Sequence, residues 1–120
     1  MNWINAAENT LIAFEMENQV PFRLERFDCE LSQLPDVFIV YFLISDTPLT
    51  HYDNQETSHE IKIQVSLFYR DISAIKTLPD KIIDAFTATG FKRIGNSRIP
   101  YQINTQHYGW RCDFNYYEKR

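Results

Sequence analysis

The sequence predicts a single α+β domain, in which a mainly antiparallel sheet of four to five strands carries two helices on one face. The chain has 120 residues, enough for one hydrophobic core and too few for two ordinary domains. It is 44% hydrophobic and 15% aromatic, which is typical of a folded protein and favours strands. Two segments have helical periodicity and several alternate with period two, so the expected order is α-β-β-β-α-β-β across residues 1–120.

The N-terminal segment has the pattern of an amphipathic helix. Apolar side chains recur there at three- and four-residue spacing: Ile4, Ala7, Leu11 and Phe14. This spacing predicts a helix over residues 3–17 with Asn2 as its N-cap. Pro21 ends the helix because proline cannot continue it. A weak alternation over residues 22–27 then favours an edge strand.

The middle of the chain predicts two long strands joined by a loop. Residues 37–44 are apolar at every position, which predicts a strand buried on both faces, by a helix on each side or by another subunit. Residues 45–60 are polar and predict a long loop of the functional or disordered kind. Residues 61–69 alternate clearly and predict a strand antiparallel to residues 37–44.

A second helix follows, with an apolar stripe of Ile75, Leu78, Ile82 and Phe86. Gly90 is its expected C-terminal cap. Two starts are compatible with the sequence. Either Asp71 or Ser73 caps a helix that Pro79 kinks, or Thr77 caps a helix with Pro79 in its first turn.

The last thirty residues predict two more strands. A short strand is expected over residues 91–94, a turn at residues 95–97, and a closing strand in which residues 108–116 alternate. The aromatic side chains of this closing strand are Trp110, Phe114, Tyr116 and Tyr117. We interpret them as core and interface residues, in preference to a platform for stacking nucleic-acid bases.

Charge and cysteine usage narrow the functional classes. The net charge of −4 argues against a dedicated nucleic-acid binder, but residues 1–60 carry −9 and residues 61–120 carry +5. The longest apolar run is far shorter than the roughly 20 residues of a membrane span. No secretory signal pattern is visible, so a cytosolic site of synthesis is expected, with Cys29 and Cys112 reduced and serving as small apolar side chains.

The chain carries no recognisable catalytic motif, which predicts a protein that is not an enzyme and has no catalytic residue or cofactor. The nearest approach to a metal site is a set of potential ligands in the predicted loop: His51, Asp53, Glu56, His59 and Glu60. The loop offers no rigid scaffold to hold them, so we interpret it as solvated and expect no metal. His107 is interpreted as a structural residue, and Asp113 as the partner of Arg111 or Arg93 across the sheet.

Several segments together resemble a known family. Residues 38–43, 46–50 and 53–56, leading into residues 60–69, resemble small tail-terminator or tail-completion proteins of siphophages and Firmicute prophages. Residues 88–95 followed by residues 108–117 do so as well, and the likeness extends over nearly the whole chain in the order of its elements.

The resemblance implies a ring, commonly a hexamer, at the head-proximal end of the tail tube of the virion, assembled in the host cytoplasm. Such a ring stops tube growth and docks to the head connector, while DNA passes through its channel without being read and no membrane is involved. Its partners are other copies of the chain, the tail tube protein and the head-tail connector. The residues expected at these contacts are Thr47, Pro48, Leu49, His51, Tyr52, Asp53, Glu56, Lys92, Arg93, Arg98 and Arg111.

Two further expectations concern the ring. Its subunits would meet head to tail through the acidic and basic halves of the chain, and residues 45–60 would become ordered on docking. The alternatives are another head-tail joining component and a small protein-binding module of the anti-restriction or immunity type. An enzyme would need a pocket in which Asp113, His107 and Arg111 converge.

Overall fold

The computed structural model describes residues 2–25, 33–49 and 58–119. Its elements are α1 (Trp3–Asn18), β1 (Phe22–Leu24), β2 (Val37–Leu49), β3 (Ser58–Tyr69), a 3-10 segment (Ile72–Lys76), α2 (Leu78–Ala88), β4 (Lys92–Gln102) and β5 (His107–Lys119). The five strands form one sheet in the order β1-β2-β3-β5-β4. Every neighbouring pair is antiparallel except β1 and β2, which are parallel. The predicted α+β class with two helices is confirmed.

Both helices pack on the same face of the sheet. Strict alternation along β3 and β5 places the core residues of this face in pairs, with Leu67 opposite Trp110 and Ile63 opposite Phe114. From α1, Trp3 meets the ring of Tyr41 edge-on at a centroid distance of 6.5 Å. From α2, Phe86 stacks on Phe114 at 4.9 Å. Strands β3 and β5 therefore form the sheet side of the hydrophobic core.

Helix α1 begins and ends close to where the sequence predicts. The side chain of Asn2 accepts a hydrogen bond of 2.9 Å from the Asn5 N–H, so the predicted N-cap is confirmed. Gln19 adopts a left-handed conformation at the C-cap (φ 60°), two residues before Pro21. The face turned to the sheet consists of Trp3, Ala6, Ala7, Thr10, Leu11 and Phe14.

Strand β2 is longer and less buried than the sequence predicts. Ile39 and Tyr41 lie under the helices, but Leu43 is 36% exposed and Ile44 is 43% exposed. The prediction of a strand buried on both faces throughout is therefore wrong in its second half, because β2 continues past the helices as one arm of a long hairpin with β3.

The predicted loop over residues 45–60 is also wrong at both ends. β2 extends to Leu49, which pairs with Ser58 of β3, so only residues 50–57 of that loop lie outside the described residues. The strand predicted over residues 61–69 and its antiparallel pairing with β2 are confirmed, and so is the edge position of β1, although β1 ends at Leu24.

The second helical region separates into two pieces, which decides between its two predicted starts. The carboxylate of Asp71 accepts from the Ser73 N–H at 3.0 Å and caps only the 3-10 segment. α2 then starts after Thr77 with Pro79 in its first turn, where a missing N–H costs nothing.

The C-terminus of α2 is closed by a Schellman motif. The Gly90 N–H donates to the Thr87 carbonyl at 3.3 Å, and the Phe91 N–H donates to the Phe86 carbonyl at 3.0 Å. The Phe86 and Phe91 rings meet edge-on at 5.1 Å, which is the hydrophobic contact that accompanies this motif. Gly90 has φ of +100°, so the predicted capping role of Gly90 is confirmed just beyond the C-cap residue itself.

The predicted turn at residues 95–97 is wrong. Gly95 pairs with Asp113 and Ser97 pairs with Arg111, so β4 is one continuous strand with a bulge at Ile94. The chain reverses instead after Gln102, where the Gln106 N–H donates to the Gln102 carbonyl at 2.7 Å.

The C-terminal strand is tied to the first helix by a buried carboxylate. Glu118 Oε2 accepts a hydrogen bond of 2.6 Å from the Trp3 N–H, and the Glu118 side chain is buried. Trp3 is the first residue of α1, so the negative charge of Glu118 lies at the positive end of the helix dipole. This contact joins two elements 115 residues apart in the chain.

Replacing Gly90 with alanine is expected to lower the free energy of unfolding by about 1–2 kcal/mol, because a Cβ is unfavourable in the left-handed conformation. The loss is not due to a steric clash, because the added Cβ would lie 3.5 Å from Tyr116, an ordinary van der Waals distance. Gly95→Ala is the matched control: Gly95 has no such conformation and nothing within 4 Å of an added Cβ. Urea unfolding of both variants measures the difference, and equal stabilities would contradict the assignment.

Replacing Glu118 with alanine is expected to lower the free energy of unfolding by about 2 kcal/mol. The change removes a charge-assisted hydrogen bond and leaves the Trp3 N–H without its partner. Glu118→Gln keeps an acceptor without the charge and is expected to cost less. Glu17→Ala, on the exposed surface of α1, is the control and is expected to change stability by less than about 0.5 kcal/mol. If Glu118→Ala lost no more stability than the control Glu17→Ala, the hydrogen bond to Glu118 would not hold α1 in place.

Candidate interaction surfaces

The face of the sheet opposite the helices carries an apolar groove. Alternation along β2 and β3 directs six side chains to this open face: Phe38, Val40, Phe42, Gln64, Ser66 and Phe68. They line a groove of ≈ 530 Å³, and the rings of Phe38 and Phe68 stack at 5.2 Å within it. Phe42 and Phe68 stay only half-buried. In the described part of the chain, neither α-helix covers this face.

His107 closes one end of the groove as a core residue. It is 1% exposed, and its Nε2 lies 2.8 Å from the Pro35 carbonyl oxygen, which requires the proton on Nε2. Its ring meets Phe38 edge-on at 5.1 Å. The second nitrogen, Nδ1, is buried and has no hydrogen-bond partner among the described residues. The structure thus places His107 in the core, in contact with Pro35 and Phe38.

The outer strand β4 is a basic edge. Lys92, Arg93 and Arg98 are all exposed on it, and its sequence contains no acidic residue. Arg111 of the adjacent strand β5 is exposed as well and donates to Ser97 Oγ at 2.9 Å and to Gln64 Oε1 at 3.2 Å. The four predicted basic contact residues therefore lie together on one side of the sheet.

The predicted contact residues of the first half lie elsewhere. Thr47, Pro48 and Leu49 are exposed at the end of β2, toward the opposite edge of the sheet. Near them Asp46 Oδ1 lies 2.6 Å from His59 Nδ1. The remaining four, which are His51, Tyr52, Asp53 and Glu56, lie outside the described residues.

The charge asymmetry of the sequence becomes an asymmetry of the fold. β1 and β2 lie at one edge of the sheet, and β5 and β4 lie at the other. Among the described residues of β1, β2 and the segments that flank them, the basic residue is Arg23 and the acidic residues are Glu25, Asp36 and Asp46. The carboxylates Glu8, Glu15 and Glu17 belong to α1, which lies over one face of the sheet. The sheet thus has an acidic side and a basic edge, which composition alone does not establish.

The three residues on which an enzyme would depend do not line one pocket. Arg111 and Asp113 border a shallow depression of ≈ 220 Å³ that also includes Ser97, whereas His107 lines the groove. Asp113 forms no salt bridge with Arg111 or Arg93 in the described part of the chain, and its Oδ1 is buried without a partner, so the predicted pair is wrong. Arg111 is instead held by uncharged acceptors in neighbouring strands.

Within the described ranges, no three His, Cys, Asp or Glu side chains are grouped so that they would hold a metal ion. None of the described helices is long and apolar enough to cross a membrane.

The aromatic residues of β5 divide between core and surface. Trp110 and Phe114 are buried, and Tyr116 stacks on Phe91 at 4.6 Å. Tyr117 is 56% exposed, and its hydroxyl donates to Glu60 at 3.1 Å, a bond that raises the pKa of Tyr117. The prediction of core residues is confirmed for Trp110, Phe114 and Tyr116.

The open-face groove lies on the second apolar face that the sequence predicts for residues 37–44, but the sequence does not show which residues of other strands line it. Its signal is present, because Phe38, Val40 and Phe42 occupy every second position of the apolar run and predict a second covered face. The exposed apolar residues of β4, Ile94 and Tyr101, have no comparable signal in the sequence.

Cys112 is expected to be unreactive in the folded protein. It has no exposed surface, and burial raises the pKa of its thiol to about 11, so the thiolate is scarce at pH 8. In a Cys29→Ser variant, an aromatic disulfide reagent should react with Cys112 only at the rate of unfolding, and immediately once urea is added. Rapid reaction of the native protein would contradict the position of Cys112.

No protein-family model matches the sequence, and a search of curated proteins finds no significant match.

Proposed function

We propose that this chain is a structural tail protein of a phage or prophage. On this proposal, copies form a ring at the head-proximal end of the tail tube, end tube polymerisation and dock to the head connector. The observation that carries the proposal is a sheet on which the described residues leave one apolar face uncovered, with Glu25 and Asp46 toward one edge and the basic strand β4 at the other. A subunit that must touch neighbours on both flanks requires two different surfaces of this kind.

The shape of the molecule supports an assembly role. It measures 53 × 24 × 22 Å, and its radius of gyration is 15.6 Å, against about 14 Å for a compact domain of this length. Four strands of 11 to 13 residues produce this elongation. An elongated sheet of this kind leaves more surface for contacts per residue than a sphere does.

The chemistry of the described residues is also compatible with a structural role. Several of their polar side chains serve the fold: Arg111 donates to Ser97 and Gln64, and Glu118 accepts from the first N–H of α1. We therefore propose a non-enzymatic protein without a cofactor or metal. DNA would pass through the ring without base-specific contacts, which suits a chain of net charge −4.

The groove on the open face favours a second candidate function. A monomeric protein-binding module of the anti-restriction or immunity type would bind its partner in this groove. The half-buried aromatic side chains of the groove would become fully buried in that complex. The two candidates differ in oligomeric state, because only the ring requires copies to bind one another. Another head-tail joining component would share the ring and differ in its partner.

The ring is tested on the purified full chain. We expect mass photometry to find one dominant oligomer, with six subunits as the expected number, and negative-stain electron microscopy to show closed rings. Higher ionic strength should weaken the assembly, because charges contribute to the contacts. A monomer at every accessible concentration and ionic strength would contradict the proposal and leave the binding module.

A further inference from the structure

We infer that neighbouring copies of this chain join edge to edge, with β4 of one copy pairing against the part of β2 that lies beyond β1 in the next. The inference rests on the proposed function only in that copies of the chain bind one another. It identifies the two surfaces that meet, the direction of the strands that pair, and the charges that select the contact.

The first surface is the outer edge of β4. This strand is the last in the sheet, is 11 residues long and is exposed along nearly its whole length. An edge strand directs half of its backbone N–H and C=O groups away from the sheet. Ile94 is 47% exposed and Tyr101 is 46% exposed, so apolar surface accompanies these groups.

The second surface is the part of β2 beyond β1. The short strand β1 pairs only with residues 39–41: the Ile39 N–H donates to the Pro21 carbonyl and the Tyr41 carbonyl accepts from the Glu25 N–H, both at 2.9 Å. Beyond Tyr41, no described strand pairs with β2 on that side. The backbone alternation that directs Ile39 and Tyr41 toward β1 also directs Leu43 to this side.

This second surface is apolar as well. Three of its residues are large, hydrophobic and exposed: Leu43, Ile44 and Leu49. Leu24 at the end of the adjoining strand β1 is exposed as well. An unpaired strand edge can serve as a template for another strand, and on β2 the bulge between Leu43 and Ser45 and the missing N–H of Pro48 limit the stretch that can pair. The described part of the chain supplies no strand to cover it.

The direction of the strands fits such a pair. β2 is antiparallel to β3, β3 to β5, and β5 to β4, so β4 runs antiparallel to β2. If neighbouring copies are related by rotation about an axis roughly along the strands, β4 of one copy meets β2 of the next as an antiparallel pair. The two edges lie on opposite sides of the sheet, so one copy contacts two neighbours and the series can close into a ring.

Charge selects this contact over the alternatives. Lys92, Arg93 and Arg98 of β4 would face the side of the neighbour that carries Glu25 and Asp46. Pairing β4 with a second β4 would bring like charges together, which is destabilising. The head-to-tail arrangement is therefore preferred to a two-fold dimer.

Charge exchange between the edges tests the inference. A Lys92→Glu/Arg98→Glu variant should assemble at a concentration about tenfold or more above that of the wild type, because both of its edges are then acidic. Lys76→Glu/Lys81→Glu is the control, with the same change of charge on exposed residues away from both edges, and should assemble like the wild type. Circular dichroism and thermal unfolding verify that both variants fold.

The complementary variant, Glu25→Lys/Asp46→Lys, should also fail to assemble alone. Mixed in equal amounts with Lys92→Glu/Arg98→Glu, it should restore oligomers, because every contact in an alternating ring then joins opposite charges. A mixture that remains monomeric while wild type forms rings would overturn the pairing with β2. Unchanged assembly of Lys92→Glu/Arg98→Glu would overturn the role of β4 and leave the proposed ring intact, whereas a monomeric wild type would overturn both.

Cross-linking distinguishes head-to-tail from two-fold contacts. Ser97 and Thr47 are exposed on β4 and β2, and each is replaced by cysteine in a separate Cys29→Ser background. A short bifunctional thiol reagent should link the two variants only when they are mixed. Cross-linked dimers of Ser97→Cys alone would overturn the head-to-tail contact.

Discussion

The packing of both helices on the same face of the sheet is the constraint on which the other features of this molecule depend. α1 and α2 cover the face formed by alternate residues of β3 and β5, where side chains such as Leu67 and Phe114 are fully buried. The Schellman motif at Gly90 and the bond from Trp3 to Glu118 fix the ends of the two helices over that face. Since both helices are used there, the opposite face keeps an apolar groove between Phe42 and Phe68.

The order of the strands gives the molecule its second asymmetry. The chain passes from β3 through α2 to the far edge, forms β4, and returns as β5 between β3 and β4. The carboxylates of Glu25 and Asp46 and the basic residues of β4 consequently lie toward opposite edges of one sheet. A binding module that recognises one partner needs one such surface, whereas a ring subunit uses two, and this difference is the physical basis for proposing an assembly.

The parts of the fold that local patterns determine are predictable from sequence. Asn2, Pro21 and the apolar stripe define α1, and alternation identifies β3 and β5 because these strands have one buried face. Only the start of β4 is predicted, as a short strand over residues 91–94. The rest is missed because nearly all of it is exposed, so no burial pattern marks it, and Gly95, Asn96 and Ser97 suggest a turn. The two ends of the predicted loop are missed because their pairing is long-range. Leu49 pairs with Ser58, and Ser58 pairs in turn with Lys119 of β5, and no local pattern contains these contacts.

The residues of the candidate surfaces can likewise be predicted from sequence only where a local pattern marks them. Charge makes Lys92, Arg93 and Arg98 visible in the sequence, but only the strand order places them opposite the acidic side. The pair predicted for Asp113 is wrong: Arg111 donates from β5 to Gln64 on β3 and to Ser97 on β4. Which face of residues 37–44 is covered depends on where the helices pack, and no local pattern contains that information.

Hydrogen–deuterium exchange at low and high protein concentration tests the central claim, that this sheet is completed by other copies of the chain, most directly. At high concentration we expect the amides of β4 and the amide of Leu43 in β2 to become protected, while those of α1 and α2 exchange unchanged. Exchange that is independent of concentration at β4 and Leu43, or new protection confined to the helices, would contradict the account.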